Sequence, residues 1–301
     1  MTVTVRPATE RDADRAGDVN FHAFLQVALA HGQVPTVTTP GESRSYVRHL
    51  LTFDPLGGLV AERDGDVVGL AWVHPRGPVA TIGPIAVDPA VQGQGIGKQL
   101  LERCLAVAGS GVPQVRLVHE SFNAASLGLY LRAGFRVVAP LLELERLLDP
   151  ALVAPPTAGH SSVRPALPAD QTRLVARDAR VFGASRPQSV DLYVRRGVAL
   201  VAEHGRTLTG YAFGIGSPRI AYLGAASGDD PETVLGLATG VIAALHGHGQ
   251  VVRTLVPATD RRLVEGLLAM GFRVARACHY MVRGGGMAPP VNYLLMNGDM
   301  M

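Results

Sequence analysis

The 301-residue sequence predicts an α/β protein with mixed sheets, built from two tandem copies of one fold. Short apolar runs alternate with segments of helical periodicity, which is typical of α/β domains. Residues 82–105 read as a buried strand, a glycine-rich turn and an amphipathic helix. Four segments of the first half recur in the same order in the second half, which indicates a duplicated domain.

Composition restricts the class of protein. Hydrophobic residues make up 47% of the chain and charged residues 18%, which predicts a folded globular protein. The net charge is +3, and no cluster of basic residues suggests nucleic-acid binding. No apolar run approaches the roughly 20 residues of a membrane span, and the first residues lack a signal-peptide core. Cys104 and Cys278 fall in different halves, so we expect reduced, buried thiols and a cytoplasmic protein.

Each element of the first half has a local signal. Pro7 closes a first strand, Thr9 is a candidate N-cap, and Asp64-Gly65 is a hairpin turn signal. Residues 31–42 hold two prolines and are expected to form a loop beside a substrate site. The predicted strands span residues 3–6, 59–62, 67–74, 82–87, 114–119 and 136–144. The predicted helices begin near residues 9, 43, 96 and 123, giving the order β-α-α-β-β-β-α-β-α-β.

The glycine-rich turn at residues 92–97 (QGQGIG) is the strongest chemical signal. Glycines before a helix leave backbone N–H groups uncovered at the positive end of the helix dipole, which favours a phosphate or pyrophosphate. The dinucleotide fingerprint would need glycine at Lys98, and the P-loop would need glycine at Gln92 and a hydroxyl at Gln99. Gln92, Gly95 and Gly97 satisfy Q-x-x-G-x-G instead. A tight turn without a ligand is the alternative.

This pattern resembles the acyl-CoA signature of the GNAT N-acetyltransferase superfamily. The resemblance covers residues 3–145 through the element order and an ending with Asn123, Tyr130 and Gly134-Phe135. It implies that acetyl-CoA is the acyl donor and that no metal takes part. It also implies that backbone groups of the strand polarise the thioester carbonyl, that the pyrophosphate binds at the glycine turn, and that an asparagine contacts the pantetheine arm. The cofactor-binding residues predicted in this way are Ile85, Ala86, Val87, Gln92, Gly93, Gln94, Gly95, Ile96, Gly97, Lys98, Asn123, Ser126 and Tyr130.

The resemblance implies that Tyr130 protonates the departing thiolate. Tyr130 lies seven residues after Asn123, on the same helical face. A phenol with a pKa of about 10 suits a thiolate whose conjugate acid has a pKa of about 8.5. A core tyrosine is the alternative. Glu120 is the favoured general base, ahead of His119 and His74, and ordered water or no dedicated base also remain open.

The acceptor is expected to be an amine of a small molecule or of a peptide. Five side chains could line its pocket or simply belong to the core: Phe21, His22, Phe24, Tyr46 and Trp72. Cys104 is predicted to be core and not a nucleophile. The sequence allows a monomer or a homodimer. A non-catalytic scaffold that binds CoA or a metabolite is the alternative function.

The second half repeats the first without its chemical residues. Residues 163–170 echo 5–12, 201–214 echo 60–73, 223–231 echo 82–89, and 267–277 echo 130–140. Asp229 and Asp230 precede the matching helix and would repel a pyrophosphate, and Leu267 replaces Tyr130. We therefore predict a catalytic domain at 1–148, a linker at 149–162 and a degenerate domain at 163–301. Residues 291–296 (VNYLLM) either dock as a last strand or form a free tail.

Overall fold

A computed structural model describes residues 2–149, 161–217, 219–285 and 291–295. Its α/β elements form two compact units. The first unit contains residues 2–117, 122–136 and 282–285, and the second contains residues 118–121 and 137–281 with the described part of 286–301. Most of the predicted linker at 149–162 lies outside the described residues.

The first unit holds a sheet in the order β1-β2-β3-β4-β5. Its strands are β1 (Val3–Pro7), β2 (Gly58–Arg63), β3 (Asp66–Arg76), β4 (Val79–Val87) and the first part of β5 (Gln114–Glu120). Its helices are α1 (Ala13–Ala30), α2 (Pro40–Phe53), α3 (Ile96–Ala108) and α4 (Ala124–Arg132).

Local chemistry explains the boundaries of these elements. The Thr39 side chain accepts a hydrogen bond from the Glu42 N–H, and Pro40 opens α2. The helix therefore begins three residues before its predicted start. Asp64 and Gly65 both have positive φ, as the two-residue turn of the β2–β3 hairpin requires. A Cβ on Gly17 would lie 2.6 Å from the Arg44 Cα, so only glycine allows α1 and α2 to approach this closely.

The two parallel strands of the first unit separate partway along their length. Residues Val79, Ala80 and Thr81 of β4 pair with Gln114, Val115 and Arg116 of β5. Beyond Thr81, β4 no longer pairs with β5. It continues to Val87 and pairs there only with β3, which is antiparallel and lies on its other side. The chain then leaves β4 through the glycine-rich turn and enters α3. The separation creates space beside the last residues of β4.

The second unit repeats this arrangement. Its sheet runs in the order β12-β6-β11-β10-β9-β8-β7, and β13 pairs with β10. The strands are β6 (Arg136–Leu147), β7 (Ser162–Pro165), β8 (Val198–His204), β9 (Thr207–Ile215), β10 (Ile220–Gly228), β11 (Val251–Pro257), β12 (Arg273–Gly284) and β13 (Tyr293–Leu294). The helices are α5 (Gln171–Phe182), α6 (Pro187–Arg196), α7 (Pro231–Ala244) and α8 (Arg261–Ala269).

The same ion-pair cluster, one arginine that binds two carboxylates, lies at the start of each repeat and supports the duplication; we call it the ionic hook. The Arg6 guanidinium binds Asp12 and Glu62, each at 2.8 Å. In the second unit Arg164 binds Asp170 at 2.7 Å and Glu203 at 2.8 Å. In the first hook the hydrogen bond from Arg6 is the main reason why the pKa of Asp12 falls to about 2. The same three charges therefore close the first strand and helix of both repeats.

The last strand of each repeat does not stay with its own repeat. Residues Leu141 to Leu147 of β6 pair antiparallel with Pro257 to Val251 of β11, inside the second unit. Residues 282–285, which end the second repeat, belong to the first unit, where the Gly285 N–H donates to the Pro113 carbonyl at 3.0 Å. The predicted division at residues 148 and 163 follows the repeats along the chain and stays a prediction.

None of the described helices is both long enough and apolar enough to span a bilayer. Cys104 and Cys278 are both buried free thiols, as the sequence predicted.

Substituting Gly284 by alanine should destabilise the protein, because Gly284 has a φ of +96° and a Cβ there would lie 2.2 Å from the Pro113 carbonyl oxygen. We expect a loss of about 1–3 kcal/mol in the free energy of unfolding, measured by urea denaturation. Gly285→Ala is the control, since its Cβ would lie 3.8 Å from the same oxygen. Equal stability of the two variants would contradict the packing of residues 282–285 in the first unit.

Candidate functional site

A cavity of about 490 Å³ lies in the first unit beside the end of β4. It is bounded by the last turns of α1, the end of β4, the glycine turn and the start of α4. Its lining residues are Ala23, Phe24, Gln26, Val27, Ala30, His31, Ile85, Ala86, Val87, Gln92, Gly93, Gly95, Ile96, Gly97, Asn123, Ala124, Ala125, Ser126, Leu129 and Tyr130.

The wall formed by β4 carries the predicted strand residues. The last three residues of β4 pair with β3 and also line the cavity. The pairs are Ile85 with Ala71, Ala86 with Leu70, and Val87 with Gly69. The Gln92 side chain donates to the Val87 carbonyl at 3.0 Å, which ties the turn to the end of the strand. Backbone groups of β4 are therefore held at a fixed position beside the cavity.

A buried charged cluster of Asp54, His74 and Arg76 contacts β4 at Gly83. The Asp54 carboxylate accepts from His74 Nδ1 at 2.5 Å and from Arg76 at 2.7 and 2.8 Å. His74 Nε2 lies 3.1 Å from the Gly83 carbonyl of β4. Both ring nitrogens of His74 therefore lie next to oxygen atoms of the protein. Burial tends to raise the pKa of Asp54, but the hydrogen bonds from His74 and Arg76 outweigh burial and hold the pKa below its ordinary value.

The glycine turn has the shape that an anion site needs. Gly93 and Gly95 have φ of +77° and +82°, and Gly95 is the N-cap of α3. A Cβ on either would meet no atom within 4 Å, so glycine is required by the backbone conformation and leaves the turn open. The first N–H groups of a helix have no partner inside the helix. These donors, together with the helix dipole, fit the diphosphate of CoA.

Two predicted cofactor residues do not line the cavity. The Gln94 side chain accepts from Arg63 at 3.1 Å, and the Lys98 ammonium lies 3.8 Å from Glu102 with 69% of its side chain exposed. Lys98 thus contributes charge at the surface of α3. The remaining predicted residues of the strand and turn are all in the lining.

The start of α4 contributes the other polar wall. The Asn123 side chain caps the helix by accepting from the Ser126 N–H at 3.2 Å, and the Ser126 hydroxyl donates to the Asn123 carbonyl at 3.1 Å. The Tyr130 ring contacts Phe135 edge-on at 5.9 Å and is half-buried. Asn123, Ser126 and Tyr130 therefore line the same cavity as the glycine turn.

The structure places the predicted base Glu120 elsewhere. Its carboxylate forms an ion pair with Arg276, which is almost completely buried in the second unit. Glu120 is not among the lining residues of the cavity. His119 also belongs to the second unit, where it stacks on His279. His74 is committed to the buried cluster with Asp54.

Sequence reasoning named Phe24 and expected the loop that begins at residue 31 beside the site, but it gave no role to three further lining residues near the end of α1. Ala23, Val27 and His31 lie four residues apart on one helical face, and that spacing was the signal that could have found them. His31 Nδ1 lies 2.8 Å from the Val27 carbonyl, which can only accept. Nδ1 therefore carries the proton, and in the neutral ring Nε2 keeps a lone pair that can accept one.

The five candidate aromatic and histidine residues divide between pocket and core. Phe24 lines the cavity, whereas Trp72 is fully buried and donates to the Asp54 carbonyl at 3.0 Å. Phe21, His22 and Tyr46 are not lining residues. Cys104 is buried as predicted, and burial raises the pKa of its thiol to about 12. The thiol is therefore protonated at neutral pH and is a poor nucleophile.

Within the described ranges, no group of three or more His, Cys, Asp or Glu side chains is arranged to hold a metal ion.

Residues 29–135 match the acetyltransferase (GNAT) family. A mycothiol acetyltransferase of Streptomyces avermitilis is 36% identical over 86 residues, which is 28% of this chain and 28% of that relative. The chain thus matches well under half of the length of such relatives.

Solved structures cover nearly the whole chain. A putative acetyltransferase from Pyrococcus horikoshii aligns with a TM-score of 0.77 at 19% identity, over 99% of this chain and 96% of that one. A tandem GNAT protein from the clavulanic acid biosynthesis pathway aligns with a TM-score of 0.64 at 16% identity, over 95% and 99%. The chain therefore has the fold of these structures, a tandem GNAT protein among them, and its N-terminal part matches the GNAT acetyltransferase family over residues 29–135.

Proposed function

We propose that the first repeat transfers an acetyl group from acetyl-CoA to an amine in a ternary complex. One observation supports this most directly: a single cavity brings together the glycine turn at the N-terminus of α3, the edge of β4 and the Tyr130 ring. The turn suits a diphosphate, the strand edge suits an amide-bearing arm, and a phenol suits a thiolate leaving group.

The cavity groups can be assigned to the steps of acyl transfer. The amine nitrogen attacks the thioester carbonyl and forms the C–N bond, while the C–S bond breaks and the thiol leaves. Of Ile85, Ala86 and Val87, the residues whose N–H groups face the cavity and not β3 are proposed to stabilise the oxyanion, and such stabilisation usually lowers the barrier to acyl transfer more than any other effect. Tyr130 is proposed to protonate the sulfur. Holding both substrates in one cavity supplies much of the remaining acceleration.

His31 is the better candidate for the base that takes the proton from the amine. It lines the cavity, and its Nδ1 is held by the Val27 carbonyl so that Nε2 can accept. The sequence favours Glu120, but the Glu120 carboxylate is paired with Arg276. A base needs a lone pair within reach of the proton, and His31 offers one inside the cavity.

The acceptor enters this proposal only as an amine. The Streptomyces relative is named a mycothiol acetyltransferase, but the match covers 28% of that protein, so its acceptor is not carried over. The acceptor side of the cavity is lined by Ala23, Phe24, Val27 and Ala30, with Gln26 as a polar neighbour. This lining favours an amine that carries an apolar group next to the reacting nitrogen.

A thiol-release assay with a panel of amines tests the proposal. Turnover of any amine with acetyl-CoA would support catalysis. Tight CoA binding with no turnover on the whole panel would favour the alternative, a scaffold that binds CoA or a metabolite without reaction.

Gly95→Glu should weaken CoA binding about 10-fold or more, because a carboxylate would stand at the proposed diphosphate position; a 10-fold change corresponds to about 1.4 kcal/mol. Gly109→Glu is a matched control, since Gly109 caps the other end of α3, also has positive φ and also faces open space. Titration calorimetry of both variants measures the difference. Equal affinities would rule out the diphosphate placement.

Tyr130→Phe should lower kcat by about 10²–10⁴-fold, the usual contribution of a general acid, and leave CoA affinity nearly unchanged. Tyr222→Phe in β10 is the control and should leave kcat unaltered. Steady-state rates across alkaline pH supply the measurement. If Tyr130→Phe keeps both its rate and its alkaline limb, the phenol is not the acid.

His31→Gln should lower kcat by about 10²–10⁴-fold, the usual contribution of a general base, because the amide of glutamine cannot take the proton of the amine. His22→Gln is the control and should keep the wild-type kcat: His22 lies on α1, and its Nδ1 also lies 2.8 Å from a carbonyl four residues earlier, but it does not line the cavity. Steady-state rates of the three proteins with one amine supply the measurement. An unchanged kcat in His31→Gln would exclude His31 as base.

A further inference from the structure

The two parallel strands at the centre of the second unit separate as β4 and β5 do. Residues Ile220 to Tyr222 of β10 pair with Val251 to Arg253 of β11, and each stands 141 or 137 positions after its counterpart in the first repeat. Past this register, the gap between β10 and β11 contains β13. The register of β13 is antiparallel to β10, and on the other side Leu295 exchanges backbone hydrogen bonds of 3.0 and 2.8 Å with Leu255 of β11.

The backbone that β13 covers is the counterpart of the proposed CoA-contacting strand. Ala226, Ser227 and Gly228 each stand 141 positions after Ile85, Ala86 and Val87. Leu294 pairs with Ala226 and Tyr293 with Ser227. The Gly228 N–H donates to the Asn292 carbonyl at 3.3 Å.

The cap of the following helix makes the matching contact. Asp260 stands 137 positions after Asn123 and caps α8 as Asn123 caps α4, by accepting from a backbone N–H of the first turn. Its other carboxylate oxygen accepts from the Asn292 N–H at 3.0 Å. Residues 292–295 thus contact β10 and the cap of α8 in the second repeat. The counterparts of these two places in the first repeat, the end of β4 and the cap of α4, bound the cavity.

Side chains hold this segment firmly. Tyr293, Leu294 and Leu295 are each at most 3% exposed. The Tyr293 hydroxyl accepts from Arg186 at 2.9 Å, and Arg186 is paired with the buried Asp178 at 2.7 and 2.8 Å. Burial raises the pKa of Tyr293 to about 12, so this hydroxyl stays neutral at physiological pH.

We infer that the second repeat is a strand-binding domain whose resident ligand is residues 292–295 of the same chain. Its ligand class is an extended peptide with a tyrosine that reaches Arg186 and a leucine that enters the core. The gap between β10 and β11 corresponds to the gap beside β4, where the first repeat is proposed to bind the amide-bearing arm of CoA. That correspondence rests on the proposed function, whereas the presence of β13 between β10 and β11 does not. Within the described part of the chain, we therefore expect CoA to bind in the first unit and not beside β10.

Hydrogen exchange of the full chain, read by mass spectrometry, tests this inference. In the wild type, residues 292–295 and 226–228 should exchange at least about 100-fold more slowly than unstructured peptide, because β13 is buried and its backbone pairs with β10 and β11. Leu294→Asp should release the segment, since it would bury a charge, and should accelerate exchange at both places. Val291→Asp is the matched control, because Val291 is 78% exposed and carries the same new charge on the same segment.

Two additions make the result decisive. Saturating CoA should leave exchange at residues 226–228 unchanged in the wild type. A capped VNYLL peptide at millimolar concentration should slow exchange there again in Leu294→Asp, with β2 serving as the check that this variant is folded. Exchange of residues 292–295 at the rate of unstructured peptide in the wild type would overturn the inference. CoA that slows exchange at 226–228 while releasing residues 292–295 would overturn it as well. The wild-type measurement tests the inference even if Leu294→Asp does not fold. Loss of CoA binding would count against the proposed function alone, because the exchange of 292–295 is measured without CoA.

Discussion

The separation of two neighbouring parallel strands is the constraint on which each unit depends. Where β4 leaves β5, and where β10 leaves β11, the edge of one strand no longer has its sheet neighbour. Backbone N–H and C=O groups inside a protein need partners, because an unmade hydrogen bond there costs about 1–3 kcal/mol. Each repeat must therefore place something beside that edge. The second repeat places its own β13 there, and the first has a cavity of about 490 Å³.

The two repeats share their framework and differ at this gap. The hook of Arg6, Asp12 and Glu62 recurs with matching distances at Arg164, Asp170 and Glu203, so the start of the fold is the same in both. The turn after the strand is different. Glycines with positive φ lead into α3, whereas Asp230 caps α7 by accepting from the Thr233 N–H at 2.6 Å. A carboxylate at that helix end satisfies the donors that a phosphate would otherwise need.

Rigid support surrounds the gap of the first unit. The buried Asp54 carboxylate connects the end of α2 to β3 through His74 and Arg76, and His74 also reaches the Gly83 carbonyl of β4. Removing one member of such a cluster would leave buried charge without a partner, which is strongly destabilising. The position of β4 is thus fixed by side chains far from the cavity opening. A preorganised edge of this kind is what electrostatic stabilisation of an oxyanion requires.

The sequence by itself determined the α/β class, the duplication and the strand–turn–helix element, because periodicity, glycine positions and helix caps are local properties of the chain. Through the resemblance of its glycine turn, it also named Asn123, Ser126 and Tyr130, which line the cavity with that turn. Only the tertiary structure decided three points. It paired Glu120 with Arg276, it brought His31 from the end of α1 into the cavity, and it placed residues 292–295 beside β10. Each of these contacts joins residues that are far apart in sequence, and no local pattern encodes which distant partner a side chain or strand edge will meet.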